Sequence, residues 1–222
     1  MEAQARESPA VALLHERIEG DLKLVGLTGG IACGKSTVSG MLREMGLPVV
    51  DADQIARDVV RPGEPAYDEI VGEFGKDPGI LNDDGTLDRE RLGEAVFADP
   101  EKRRRLEAIT HPRIFRAIAE EVHRLRRERR PRAVVVDAAL LFESGLSESM
   151  DRNLLVTAPE DLQILRLTAR DGLSEAAARL RIASQMPASE KAEIADYVID
   201  NSGDLETTRA QLGLALAGLL KN

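Results

Sequence analysis

The residues best suited to chemistry form one short segment near the start of the chain. Residues 29–36 read Gly-Gly-Ile-Ala-Cys-Gly-Lys-Ser and fit the pattern G-x-x-x-x-G-K-[ST], with an apolar run before it and a helical pattern after it. Such glycines let backbone N–H groups turn toward anionic oxygens, Lys35 adds a point charge for terminal phosphates, and the Ser36 hydroxyl ligates Mg²⁺. The residues predicted to bind a nucleotide are Gly30, Ile31, Ala32, Cys33, Gly34, Lys35, Ser36 and Thr37.

This phosphate-binding pattern occurs in hydrolases, in switches and in kinases. The Asn-Lys-x-Asp signature of GTPases is missing from the sequence. Asp137 ends a predicted strand, but Ala138 and Ala139 follow it rather than a carboxylate that could polarise water. Phosphoryl transfer to an organic acceptor is the chemistry that remains.

Two carboxylates, Asp51 and Asp53, end the second predicted strand. A carboxylate at the carboxyl edge of a parallel sheet can accept a proton from an attacking hydroxyl or orient Mg²⁺ through water. Each could instead cap or charge the first turn of the helix that follows. Asp51 fits both roles equally, whereas Asp53 is favoured as the functional residue because capping needs only one of the pair.

Four arginines near the fourth predicted strand form a second group. Arg166 and Arg170 are one helical turn apart and share a face, so they repel each other unless an anion such as a triphosphate lies near them. Arg179 and Arg181 follow in a polar helix that could close over the phosphates as a lid. We expect Arg179 to be an ordinary solvated charge, while Arg181 fits either role.

Two further features have competing interpretations. Cys33 lies where a helix dipole and Lys35 would favour a reactive thiolate, but a buried, inert thiol is the favoured alternative. Residues 124–132 carry six arginines. We interpret them mainly as a solvated helix end that complements the helix dipole, with RNA binding as the alternative.

Alternating apolar runs and helical patterns predict the elements that position these residues, in an α/β fold with a parallel sheet. About 80 residues between the second and third strands exceed an ordinary crossover and predict an inserted helical subdomain. A polar helix over Ser174–Met186 is a second candidate insertion. The five predicted strands are Leu22–Thr28, Pro48–Asp51, Ala133–Asp137, Asn153–Thr157 and Tyr197–Asp200.

Composition excludes several classes of protein. The 222 residues include 30 basic and 39 acidic side chains, and a net charge of −9 argues against a general polyanion binder. Four Phe, two Tyr and no Trp leave no stacking platform for single-stranded nucleic acid. No apolar stretch approaches the roughly 20 residues that span a bilayer, and a single cysteine suits a reducing cytosol. We therefore expect a cytoplasmic protein that binds neither nucleic acid nor membrane. A monomer is the expectation for its oligomeric state, although composition does not determine it.

Several motifs, in a fixed order, resemble those of the dephospho-coenzyme A kinase family. The most specific are Leu-Thr-Gly-Gly-Ile at 27–31, Val-Asp-Ala-Asp with Ile-Ala after it at 50–56, and Asp-Tyr-Val-Ile-Asp-Asn-Ser-Gly at 196–203. The similarity runs from about residue 24 to 220. It implies a three-layer P-loop kinase fold with a five-stranded parallel sheet, a helical substrate-binding insertion and a small helical lid. It also implies transfer of the ATP γ-phosphate to the ribose 3′-hydroxyl of dephospho-CoA, the last step of coenzyme A synthesis.

The same resemblance implies roles for individual residues. Asp53 would be the catalytic base, Lys35 and Arg166 would contact phosphate, and Ser36 would hold Mg²⁺. Arg170 would join the ATP-binding residues and Asn201 would lie beside the adenine. The residues implied near the acceptor are Thr28, Asp53, His111, Leu140 and Glu143.

The chain departs from the family pattern at a few positions. Ala32 and Cys33 replace a common Gly-Ser, and Ala139 replaces a usual proline. Residues 1–21 have no counterpart and form a predicted N-terminal extension. The other predicted domains are a nucleotide-binding core, residues 22–61 and 132–222 with a lid at about 172–188, and an acceptor-binding helical insertion, residues 62–131.

Two other functions stay open on the residues alone. Another small-molecule or nucleotide kinase would use the same phosphate-binding loop, carboxylate and arginines. A nucleotide-gated binding module would instead engage RNA or protein through residues 124–132.

Overall fold

A computed structural model describes residues 22–75, 79–97 and 99–220 of the chain. The predicted N-terminal extension, residues 1–21, lies outside them. The described residues divide into two compact units, one of residues 52–121 and one of residues 22–51 with 122–220. In this described part of the chain, no helix is both long and apolar enough to cross a membrane.

A five-stranded parallel sheet forms the centre of the unit made of residues 22–51 and 122–220. Its strand order is β2-β3-β1-β4-β5, so the first strand is the middle one. Five parallel strands were the expectation, and no predicted end differs from the observed end by more than one residue. The strands are β1 Lys23–Gly29, β2 Val49–Asp51, β3 Ala133–Asp137, β4 Arg152–Thr157 and β5 Tyr197–Asp200.

Helices connect and follow these strands. Two of them, α1 and α9, pack on one face of the sheet, where Val38 and Leu42 of α1 join Leu212 and Leu216 of α9 and Leu27 of β1 in one apolar core. The helices are α1 Lys35–Glu44, α2 Ala52–Asp58, α3 Pro65–Phe74, α4 Arg89–Phe97, α5 Pro100–Arg129, α6 Glu160–Asp171, α7 Glu175–Ala183, α8 Ala188–Ile194 and α9 Leu205–Leu219.

The unit of residues 52–121 has an apolar core of its own. Ile70 and Phe74 of α3 pack with Ile80 and with Leu92 and Val96 of α4. The helices α4 and α5 each begin directly after an aspartate, Asp88 and Asp99, a residue type that favours the start of a helix. At the second of these, the Asp99 carboxylate accepts hydrogen bonds from the first backbone N–H groups of α5.

From the sequence alone, His111 and Pro112 could be interpreted as a pair that ends a helix; that interpretation is wrong, because α5 continues through them to Arg129. Pro112 lacks an N–H and leaves one carbonyl of the preceding turn without its usual helical donor. The Arg113 side chain donates to the carbonyl of the adjacent Ile109 at 2.6 Å. Helical residues on both sides of Pro112 therefore override its local preference.

The predicted lid helix is shorter than expected. Ser174 caps α7 by accepting from the Ala177 N–H at 3.2 Å, but the helix ends at Ala183 rather than at Met186. A separate helix, α8, then begins after Pro187, which is pre-set for the position before a helix. Residues 184–187 thus form a connection between two helices.

Candidate active site

The phosphate-binding loop lies at the carboxyl end of the central strand β1 and leads directly into α1. Gly34 precedes the first residue of the helix with φ of +95°, in the left-handed region. A Cβ built on Gly34 would lie 1.9 Å from the Asn201 Nδ2 atom. Glycine is therefore required here both by the backbone angle and by the close approach of Asn201.

Two side chains from the β4–β5 side of the sheet hold the outer face of this loop. Arg166 on α6 donates to the Ala32 carbonyl at 3.2 Å and to the Asn201 carbonyl at 3.0 Å. The buried Asn201 side chain donates to the Cys33 carbonyl at 2.8 Å and accepts from Thr208 at 3.0 Å. Arg166 and Asn201, both predicted nucleotide-site residues, thus lie together at the loop. Their roles toward ATP stay predictions.

Lys35 and Asp137 form an ion pair at the loop, with 2.5 Å between Nζ and Oδ1. Asp137 ends β3, the strand beside β1, and is 6% exposed. Burial raises the pKa of its carboxyl, although the Lys35 ammonium acts in the opposite direction. From the sequence, Asp137 is recognised as the end of a strand but is assigned no role. Its signal was an acidic residue at the end of a buried β-branched strand, the usual position of a second acidic motif in P-loop proteins.

Two glutamines that the sequence analysis did not assign also contact the loop region. The Gln185 side chain accepts a hydrogen bond from the Ile31 N–H at 2.8 Å. Gln163 is buried, donates to the Ala158 carbonyl at 2.7 Å, and its Oε1 lies 3.4 Å from where a Gly30 Cβ would be. Gln185 lies in the connection between α7 and α8, so this connection reaches the loop directly.

A buried ion pair joins α8 to the segment after β3. Lys191 is fully buried, and its Nζ lies 2.8 Å from a Glu143 oxygen and 3.5 Å from the Ala139 carbonyl. Thr28 of β1 donates to the same Ala139 carbonyl at 3.1 Å, and Glu143 also accepts from the Met186 N–H at 3.4 Å. Two predicted acceptor residues, Thr28 and Glu143, thus lie in one network. Lys191, which organises it, was missed because its partner is 48 residues away.

The third predicted acceptor residue on this unit, Leu140, is 51% exposed in the same segment after β3. An exposed large apolar side chain is available for contact with a ligand. Its role toward the acceptor stays a prediction.

The hypothesis of a reactive Cys33 thiolate is wrong for this structure. Cys33 is 1% exposed and packs in the core beneath the sheet. Burial raises the pKa of the thiol by more than Lys35 lowers it. The favoured alternative, a buried and inert small residue, fits these facts.

The arginines of α6 and α7 separate into different environments. Arg170 binds Asp171 through two hydrogen bonds of 2.7 and 3.0 Å, and its role toward ATP stays a prediction. Arg181 also lies near Asp171, at 3.6 Å. Arg179 is paired with the exposed Glu160 and Glu175, as expected of an ordinary surface charge.

Asp53 and His111 belong to the unit of residues 52–121. Asp53 lies in the first turn of α2, two residues after the end of β2, where its charge also suits the helix dipole. The His111 ring stacks on Phe115 with 5.6 Å between ring centroids. Burial lowers the pKa of His111. The roles assigned to both residues stay predictions.

The fold and the loop together define the class of protein. A glycine-rich loop after the middle strand of a parallel sheet, a lysine at the start of the following helix, and a buried aspartate on the neighbouring strand are the parts of a P-loop kinase. Residues 23–207 match the family model described as CoaE, dephospho-CoA kinase. The chain belongs to the dephospho-CoA kinase family.

Individual relatives agree with this assignment. A dephospho-CoA kinase of Symbiobacterium thermophilum is 51% identical over 194 residues, covering 87% of this chain and 80% of the relative. One from Geobacillus kaustophilus is 52% identical over 188 residues, covering 85% and 92%. The solved dephospho-CoA kinase from Campylobacter jejuni is 31% identical with a TM-score of 0.64, covering 89% of this chain and 97% of that one. The crystal structure of TT1252 from Thermus thermophilus is 37% identical with a TM-score of 0.78, at the same two coverages.

Proposed function

We propose that this chain transfers the γ-phosphate of ATP to the ribose 3′-hydroxyl of dephospho-CoA, giving coenzyme A and ADP. The observation that carries the proposal is the dephospho-CoA kinase match over residues 23–207, which includes both the phosphate-binding loop and Asn201. The high identity of the curated dephospho-CoA kinases over most of the chain supports the same reaction.

The proposed division of labour follows from the chemistry of each side chain. Asp53 accepts the proton of the attacking hydroxyl, because a carboxylate is a suitable base where an alcohol attacks a phosphoryl group. Lys35 and Arg166 stabilise negative charge that grows on the transferred phosphoryl oxygens. Thr28, His111, Leu140 and Glu143 are proposed to bind the acceptor, and Arg170 and Asn201 to bind ATP.

The residues at the loop also fit a magnesium ion. Ser36 is exposed in the first turn of α1, and Asp137 supplies a carboxylate beside the loop. Hydroxyl and carboxylate oxygens are the hard ligands that Mg²⁺ prefers, and no cluster of three or more His, Cys, Asp or Glu residues in the described ranges suggests a different metal. When bound with ATP, the ion would neutralise charge on the phosphate oxygens.

An acceptor assay tests the proposal. The purified full chain is incubated with Mg-ATP and with dephospho-CoA, a nucleoside monophosphate, or no acceptor, and ADP and phosphorylated product are measured separately. We expect coenzyme A and ADP in equal amounts with dephospho-CoA, and a background rate otherwise.

A Lys35→Ala variant is the control for a contaminating kinase and should lose the activity. Preferred phosphorylation of a nucleoside monophosphate would replace this proposal with that of a nucleotide kinase. ADP release without any acceptor would indicate a hydrolase.

A further inference from the structure

A cavity of about 800 Å³ lies at the amino-terminal edge of the sheet, at the end of the strands opposite the phosphate-binding loop. β1 and β3 run in parallel from Lys23 and Ala133, and seven residues of β1 put the loop roughly 20 Å away. The cavity is lined by Leu22, Lys23, His123, Arg126, Arg127, Arg130, Pro131, Arg132 and Leu220.

The lining is strongly cationic although the whole chain carries a net charge of −9. Its lysine and four arginines come from three places: the start of β1, the end of α5 and the residue before β3. Within the described residues, no carboxylate lines the cavity and no ion pair joins any of these five cations to an acidic group. Most other arginines of the described chain, by contrast, are paired with acidic residues, as Arg105 and Arg209 are.

The helix dipole accounts for only part of this cluster. Arginines in the last turn of α5, such as Arg126 and Arg127, are favoured there by the dipole. Lys23 and Arg132 lie outside that helix, so the preference of its last turn for basic residues does not explain their presence. Bringing them to the same cavity adds like-charge repulsion that an anionic ligand would relieve.

Arg130 adds a second, independent observation. It follows the end of α5 with φ of +46°, in the left-handed region where helices usually end in glycine or asparagine. A side chain with a Cβ costs about 1 kcal/mol or more in that region. Arg130 thus combines an unfavourable backbone angle with a place in the lining of the cavity, which is expected where a strained residue serves a ligand.

We propose that this cavity binds a compact anion carrying two or more phosphate groups, such as an inorganic polyphosphate or a nucleotide-like molecule. Its volume is that of a small-molecule site, and its concave shape suits a small ligand better than an extended nucleic acid strand. The lining offers no Phe, Tyr or Trp on which bases could stack, while Leu22, Pro131 and Leu220 offer an apolar wall for the rest of a nucleotide-like ligand.

Calorimetric titration of the full chain tests this site with two probes, tripolyphosphate and coenzyme A. We expect two tripolyphosphate sites in the wild type and one in Lys35→Ala, which impairs the phosphate-binding loop. In the Lys35→Ala background, Arg130→Gly should weaken the remaining site about tenfold, the effect of losing one charge-assisted hydrogen bond. Binding of coenzyme A at the acceptor site is separated from binding in the cavity by its dependence on Arg130. Tighter Arg130-dependent binding of coenzyme A than of tripolyphosphate would assign the ligand to the nucleotide-like class, and the reverse order to inorganic polyphosphate.

Arg129→Ala is the matched control. It removes one positive charge from the residue next to Arg130 in the chain, and Arg129 does not line the cavity. It should change binding by less than twofold. Arg130→Gly should melt no lower than the wild type, since glycine tolerates the positive φ, so a misfolded variant cannot imitate the result.

Three results would overturn the proposal. One is the absence of a second site, and another is an equal loss in Arg129→Ala, which would mean diffuse electrostatic attraction. The third is tighter, Arg130-dependent binding of a single-stranded RNA than of tripolyphosphate, which would make the patch a nucleic-acid surface instead.

Discussion

Asp51 and Asp53 are two residues apart, and replacing each by its amide separates their roles. Asn keeps the shape of Asp53 but has no useful proton affinity, so Asp53→Asn should lower kcat by about 10² to 10⁴ while the KM for ATP changes only a few-fold. Steady-state kinetics with dephospho-CoA measures both constants. Asp51→Asn is the matched control and should reduce turnover less. Near-normal turnover in Asp53→Asn would move the base to another residue.

Arg166 is expected both to hold the phosphate-binding loop and to stabilise the transferred phosphoryl group, and replacing it tests both roles. Its guanidinium holds the Ala32 and Asn201 carbonyls and is proposed to meet charge that grows during transfer. Arg166→Ala should therefore lower kcat by about 10² or more and raise the KM for ATP by less. Arg166→Lys should restore only part of the loss, because an ammonium lacks the planar fork that reaches two acceptors.

Arg179→Ala is the control for Arg166, since Arg179 pairs only with the exposed Glu160 and Glu175 among the described residues. It should keep near-normal kinetics. Equal losses in the two alanine variants would mean that Arg166 acts only through general surface charge.

At the scale of elements, the Lys191–Glu143 pair fixes α8 against the segment after β3. The two side chains differ in burial, at 1% and 23% exposure. Removing the carboxylate strands a fully buried ammonium, so Glu143→Gln should lower the free energy of unfolding by about 3 to 5 kcal/mol. Lys191→Met keeps an apolar chain of similar length and leaves a carboxylate that water reaches, so its cost should be smaller, about 1 to 2 kcal/mol.

Urea unfolding of both variants and of the double variant measures this asymmetry. The double variant, Lys191→Met with Glu143→Gln, should be more stable than Glu143→Gln alone, because no stranded charge remains. Equal costs for the two single variants would contradict the expectation that the buried ammonium is costlier to leave unpaired than the partly exposed carboxylate.

The strands and the phosphate-binding loop could be predicted well from the sequence because each depends on a pattern of residues that are close together in the chain. The Val134–Val136 run and the spacing of Gly29, Gly34 and Lys35 are local signals that tertiary contacts have no reason to override. A helix end at His111 and Pro112, which these two residues suggest locally, does not form because the surrounding turns of α5 keep their helical bonds on either side.

Contacts across the fold could not be predicted from spacing. Arg166 and Arg170 do share a helix, but Asp171 takes the Arg170 guanidinium, a choice that depends on rotamers rather than on periodicity. The Gln185 contact with Ile31 spans 154 residues. Partners so distant in the chain leave no pattern in a single sequence.

At the scale of the whole molecule, acid should destabilise the fold in part through His111. Burial holds the pKa of His111 below its usual value near 6.5, so the folded state favours the neutral ring. The unfolded chain binds the proton first as pH falls below about 6.5, and stability is lost from there down to the lower folded pKa. Above pH 6.5 this contribution is fully present.

Thermal melts of the wild type and His111→Gln between pH 7.5 and 5 check this expectation. A glutamine does not titrate, so the variant should lose less of its Tm over that interval than the wild type does. Parallel curves for the two proteins would show that His111 contributes nothing to the acid response.

Two carbonyls of the phosphate-binding loop, those of Ala32 and Cys33, accept hydrogen bonds from the side chains of Arg166 and Asn201. A peptide group is planar, with its C=O and N–H on opposite sides, so fixing one fixes the other. Asn201 holds the Cys33 carbonyl, and this contact sets the direction of the Gly34 amide, while the Cys33 amide already donates to the Gly30 carbonyl. The loop is therefore preorganised for phosphate by contacts within the protein. It loses little conformational entropy when a nucleotide binds.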